Sequence, residues 1–213
     1  MSAWIAVFLM SWLSLPAAYP GAAIEELIRR EILLEEAHLW RSAIDANLEI
    51  LELDPKSVAA MNTIAGLHGI LGEYQEEVTW ALKALEVDPR FDLAYINQGN
   101  GLAGLRRLDE AEAAYRKAAE ISPQDPLPVY SLAVLAEDRG EIERALSYYE
   151  QSVKLDERFE YGHFSMAAML ANLGRFEEAI AELEVVLKLN PDALDARQML
   201  EQIEEERRRA DRK

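Results

Sequence analysis

The sequence predicts an all-α protein: a solenoid of helix hairpins preceded by an apolar N-terminal helix. Three observations carry this. The tripeptides Leu53-Asp54-Pro55, Val87-Asp88-Pro89, Ile121-Ser122-Pro123, Leu155-Asp156-Glu157 and Leu189-Asn190-Pro191 recur at one spacing of 34 residues, without an insertion. Between them the apolar residues step by three and four, as one face of a helix must. A helix breaker, Gly72, Gly140 or Gly174, divides most units into two helices.

The N-terminal element comes first. Residues 1–24 contain no charged side chain, and Ala3 to Leu15 is almost wholly apolar before Pro16, Pro20 and Gly21 interrupt it. A helix from Met1 to Ala18 would rise about 27 Å, close to the hydrocarbon thickness of a bilayer. Trp4 and Tyr19 would then suit the two interfaces. Residues 1–23 also read as a signal peptide, with small residues Gly21-Ala22-Ala23 at a cleavage site. No Lys or Arg precedes the apolar core, which favours the retained anchor. Arg29, Arg30 and Arg41 follow it, so the positive-inside rule places the next domain in the cytoplasm. Cleavage near Ala23 would instead release an exported, periplasmic-type protein.

The repeats follow in order. In the unit 126–159, Val129, Leu132, Ala133 and Ala136 form one helical stripe. Gly140 breaks it, and Ile142, Ala145, Leu146, Tyr149 and Val153 form the second. The Asp, Ser or Asn before each terminal Pro or Glu is expected to close one helix and cap the next. Such a hairpin cannot bury its apolar face alone and must stack on its neighbours. Aligned by the repeat, small residues recur in the first helix (Ala65, Gly99, Ala133, Ala167) and in the second (Ala111, Ala145, Ala179). Gly72, Arg106, Gly140 and Gly174 share the turn between them. In these positions the chain resembles the tetratricopeptide repeat family.

The resemblance implies a right-handed superhelix of five repeats over 24–193, namely 24–57, 58–91, 92–125, 126–159 and 160–193. The first is degenerate, since Glu31 takes a small-residue position. Glu77 does the same in the second, and its helix is expected to sit further out. Residues 194–213 read as a capping helix, with Ala196, Met199, Leu200 and Ile203 on one stripe, ending in a basic tail from Arg207.

The glycines of Gly99-Asn100-Gly101-Leu102-Ala103-Gly104 spell the G-x-G-x-x-G of dinucleotide sites. That motif needs a preceding strand, and here the glycines lie on one helix, so they are expected to serve packing and no nucleotide. The composition narrows the function further. With 39 acidic against 22 basic residues, the chain carries a net charge of −17, which should repel a phosphate backbone and exclude nucleic acid. There is no cysteine, and His38, His68 and His163 are scattered. No metal or nucleophile spacing appears, so neither a cofactor nor an enzymatic activity is expected.

By resemblance, the first helix of each repeat lines a concave groove that takes a protein partner. An apolar stripe there comprises Leu93, Ile96, Leu127, Tyr130, Val134, Tyr161 and Phe164, with Tyr130 and Phe164 as expected anchors. Beside it runs a polar ladder of Thr63, Asn97, Ser131 and Ser165, with Asn100 adjacent. The ladder is expected to pair a peptide backbone. No Lys or Arg stands at these positions, so an acidic C-terminal tail is a disfavoured ligand. The expected function is a membrane-tethered interaction scaffold that assembles, or stays within, a larger complex.

Overall fold

The computed structural model describes residues 20–210. The apolar helix expected over residues 1–18 lies outside the described residues, as does the end of the basic tail. Among the described residues all regular structure is helical, in eleven helices with no strand.

The helices pair as hairpins: α1 (Pro20–Glu36) with α2 (Trp40–Leu53), α3 (Val58–Ile70) with α4 (Tyr74–Val87), and α5 (Asp92–Gly104) with α6 (Leu108–Ile121). Then α7 (Pro126–Asp138) pairs with α8 (Ile142–Leu155), and α9 (Glu160–Asn172) with α10 (Phe176–Leu189), before α11 (Leu194–Ala210). From α3 onward the first helices have 13 residues each, and all second helices have 14. Each hairpin stacks on the next, so the core is a strip along the stack rather than one centre.

The turn inside each hairpin is a repeated backbone device. His38, Gly72, Arg106, Gly140 and Gly174 all have positive φ, between 56° and 73°. After each, an N–H reaches back five residues to close the helix: Leu39 to the Leu34 carbonyl, Glu73 to His68, Arg107 to Leu102, Glu141 to Ala136 and Arg175 to Leu170. This is the left-handed cap that glycine adopts at no steric cost. His38 and Arg106 hold the same conformation with a side chain attached.

Between hairpins, the expectation about capping is only partly met. Asp54, Asp88, Asp156 and Asn190 accept backbone N–H bonds two residues on, holding the turn itself and not the next helix. Ser57 and Asp125 cap the helices that follow them, α3 and α7. Asp54, Asp88, Asp156 and Asn190 each stand four residues before the next helix begins, so the side-chain oxygen meets the turn and not the next N-terminus.

Packing explains the small residues. Ala65, Ala111, Ala133, Ala145, Ala167 and Ala179 are wholly buried. The G-x-G-x-x-G glycines are seats for neighbouring side chains. A Cβ at Gly99 would overlap the Tyr115 ring, one at Gly101 would lie 2.7 Å from Val78, and one at Gly104 would strike Tyr74. The outward shift expected of α4 does not occur. Glu77 is buried and α4 packs on α3 as closely as in the other hairpins, because Gly69 on α3 leaves room for the carboxyl.

Candidate functional site

Along one side the first helix α3 touches α5, α5 touches α7, and α9 touches the closing helix α11. No two consecutive second helices make comparable contact among the described residues. The stack therefore closes on the side of the first helices, which form its inner wall, and opens on the side of the second.

Three large apolar side chains stand out from this wall: Leu93 on α5, 40% exposed, Val134 on α7, 42%, and Tyr161 on α9, 72%. Leu127, Tyr130 and Phe164 are half-buried. Tyr130 and Phe164 pack against the core shared by α7 to α11, so they support the wall as well as line it. Ile96, 5% exposed, belongs to the core between α4 and α8. It contributes nothing to an exposed stripe, because its side chain turns in among Val78, Leu102 and Tyr115.

The aromatic residues are linked. The Tyr130 ring lies 5.7 Å from Tyr149 and 5.4 Å, edge-on, from Phe159, which lies 6.0 Å from Tyr161. Edge and tilted contacts of this kind add stabilisation beyond the area they bury. The run leads from Tyr149, fully buried, to the exposed Tyr161. Burial, and then the Glu137 carboxylate to which its hydroxyl donates at 2.7 Å, hold the Tyr149 phenol above its usual range. The sequence reading missed Phe159 and Tyr149 as parts of the site, since they lie outside the first-helix positions.

The polar ladder is engaged within the protein. Asn97 Nδ2 donates to the Asn62 carbonyl at 3.1 Å and to Asn62 Oδ1 at 2.8 Å. Tyr130 Oη and Ser165 Oγ share a hydrogen bond of 3.1 Å. Both links span 35 residues, from the fifth position of one repeat to the sixth of the next. That i, i+35 relation is the signal from which they could have been found. Ser131, 8% exposed, instead donates to the Leu127 carbonyl of its own helix, because its partner position holds the apolar Ile96. Asn100 accepts from the Tyr115 hydroxyl at 2.8 Å.

The outer side carries the charge. Glu112 on α6 meets Arg116 of its own helix, Arg139 after α7 and Arg144 on α8. Burial alone would raise its carboxyl, but the three guanidinium groups outweigh this and lower it. Among the described residues no group of three His, Asp or Glu side chains is placed to hold a metal ion. None of their helices is long and apolar enough to cross a membrane.

Comparison with known proteins agrees with this geometry. Two family models, each described as tetratricopeptide repeat, match residues 92–125 and 130–193. The chain is 29% identical over 119 residues to small glutamine-rich tetratricopeptide repeat-containing protein 2 of Mycosarcoma maydis, 53% of this chain and 34% of that protein. It spans about a quarter to a third of the length of the curated relatives it matches first. Among solved structures it is similar to a thermophilic TPR protein of Thermus thermophilus, with a TM-score of 0.76 at 18% identity, covering 84% of this chain and 98% of the other. It is also similar to YrrB, a TPR protein with an unusual peptide-binding site, with a TM-score of 0.53 at 20% identity over 86% and 98% of the two chains. With its left-handed turns one period apart, its seams of alanine and its matches on both sides of residue 126, the chain belongs to the tetratricopeptide repeat family.

Proposed function

We propose that the chain is an interaction scaffold whose inner wall binds an apolar segment, helical or extended, of a protein partner. The observation that carries this is the exposure of Leu93, Val134 and Tyr161 on three successive first helices. Large apolar side chains left in water along one face mark a partner surface. The wall has no Lys or Arg at the positions that face the groove, so the contact is apolar and not ionic. The peptide-binding site of the similar YrrB supports a peptide ligand.

The partner is a protein; no nucleic acid or nucleotide is proposed as a ligand. Residues 1–18 tether the scaffold to a membrane, where it assembles or belongs to a larger complex. The charge-free run of residues 1–24 motivates this part of the proposal. The second reading, an exported adaptor released near Ala23, is favoured by the small residues Gly21-Ala22-Ala23. A mass measurement of the native N-terminus separates the two: a chain beginning at Ile24 removes the tether.

For the groove, Tyr161→Ala combined with Val134→Ala is the informative change, because neither side chain belongs to the buried core and both reach solvent, at 72% and 42% exposure. The double variant should fold normally by circular dichroism. It should bind the co-purifying partner about thirtyfold more weakly, a loss of about 2 kcal/mol. Raising salt should change the affinity little, since screening weakens exposed ion pairs and not apolar contact. Unchanged binding by the folded double variant contradicts the groove proposal.

A further inference from the structure

Glu77 stands where Ala111, Ala145 and Ala179 stand in the later repeats, one period apart each time. Those alanines are wholly buried, and Glu77 is 3% exposed. Its carboxyl lies in the seam between α3 and α4, with Oε1 2.6 Å from where a Cβ on Gly69 would be. Gly69 is thus the seat that admits an acid in place of a methyl group. Among the described residues no basic side chain or hydrogen-bond donor holds the carboxyl.

The surrounding titratable groups are otherwise engaged. On α3 there is only His68, which turns to Glu73 at 2.7 Å; Glu73 also pairs with Arg41 of α2. On α5, Asp92 is bonded by Ser122 and the Tyr95 hydroxyl donates to the Pro89 carbonyl. On α4 itself, Lys83 lies over the Trp80 ring, while Tyr74, Glu76 and Glu86 are exposed. From α6, Tyr115 faces the seam, its hydroxyl committed to Asn100. A carboxylate here would be a charge buried but for the edge of its oxygens and without a counter-charge, which costs more than a buried neutral acid.

We propose that Glu77 is a proton-held lock on the second hairpin: protonated, it fills the seam between α3 and α4, and its ionisation opens that seam. Burial pushes the Glu77 carboxyl up to about 8 from its ordinary 4.5. Burial, and then the neighbouring Glu77, raise the Tyr115 phenol. The sign follows from linkage. Between 4.5 and about 8 the closed hairpin holds a proton that the open one releases. Raising the pH through that interval therefore favours opening, by up to about tenfold per pH unit for one proton. Above it the effect levels off.

Amide hydrogen exchange of the full chain from pH 5 to 9, corrected for intrinsic exchange rates, tests this. Peptides spanning residues 58–87 should lose protection by up to about tenfold per pH unit until about pH 8, then no further. Peptides spanning 126–155, where Ala145 takes the position, serve as the internal reference. Glu77→Gln, which keeps the shape of the protonated acid, should abolish the slope. Glu77→Ala, the residue of the later repeats, provides the same reading should Gln fail to pack. Protection in 58–87 that ignores pH in the unmodified protein, or an equal slope in the variants, overturns the proposal.

Discussion

Gly66 and Gly99 lie in the first helices of successive repeats, yet substitution should affect them in opposite ways. A Cβ at Gly66 would meet only the Asn97 amide, at 3.9 Å, an ordinary contact. Gly66→Ala should therefore gain the helix-propensity difference, up to about 1 kcal/mol. At Gly99 the Cβ would overlap the Tyr115 ring, which is buried and cannot retreat. Gly99→Ala should cost about 1–3 kcal/mol through overpacking, in spite of the same propensity gain. Paired urea titrations of the two variants give the sign directly. Arg106 offers the converse case, a left-handed residue with φ 61° where the second, fourth and fifth repeats carry glycine. Its ion pair with Asp138 is exposed on both sides, and such pairs contribute little. Arg106→Gly should raise Tm by roughly 2–4 °C in a thermal melt.

At the scale of elements, the junction of the third and fourth repeats depends on charge as well as on packing. α6 and α8 do not pack on each other as hairpin partners do, and Glu112 bridges them through Arg144 and Arg139. Glu112→Ala removes the shared acceptor of this network from a site where its side chain is 17% exposed. A loss of about 1–2 kcal/mol is expected, with exchange protection falling first across α6 and α8. The hairpins themselves were legible in the sequence, because periodicity, turn residues and small-residue seams are local patterns. The site was less so. Ile96 turned into the core, and Asn97 and Ser165 bonded to Asn62 and Tyr130, because those partners lie in the preceding repeat. Glu77 was misread for a similar reason. The space it occupies is made by Gly69 on the facing helix, and no rule about Glu77 alone contains that.

For the whole molecule, the pH dependence of stability should run against the common pattern. Burial pushes Glu77 up to about 8, and burial with the adjacent Glu35 raises Glu31 to about 7. Both make the folded state bind more protons than the unfolded one at neutral pH, so stability falls as pH rises through this range. The net charge of −17 adds self-repulsion in the same direction. Glu112 acts oppositely: its lowered carboxyl contributes stability that disappears as pH falls below its ordinary value. Tm should therefore peak near pH 5 and be lower at pH 8 by about 5 °C or more. A maximum at pH 7 to 8 would contradict these assignments.

The proposed partner site is the inner wall formed by the first helices. Tyr161 on that wall and Leu82 on the outer side of α4 are both exposed apolar positions. A photo-reactive phenylalanine analogue placed at either one, in the full chain in its own cell, reports which side is occupied. Irradiation should give a covalent adduct with the partner from position 161 and none from position 82. Adducts from position 82 with none from position 161 would place the partner on the outer face and rule out the inner wall.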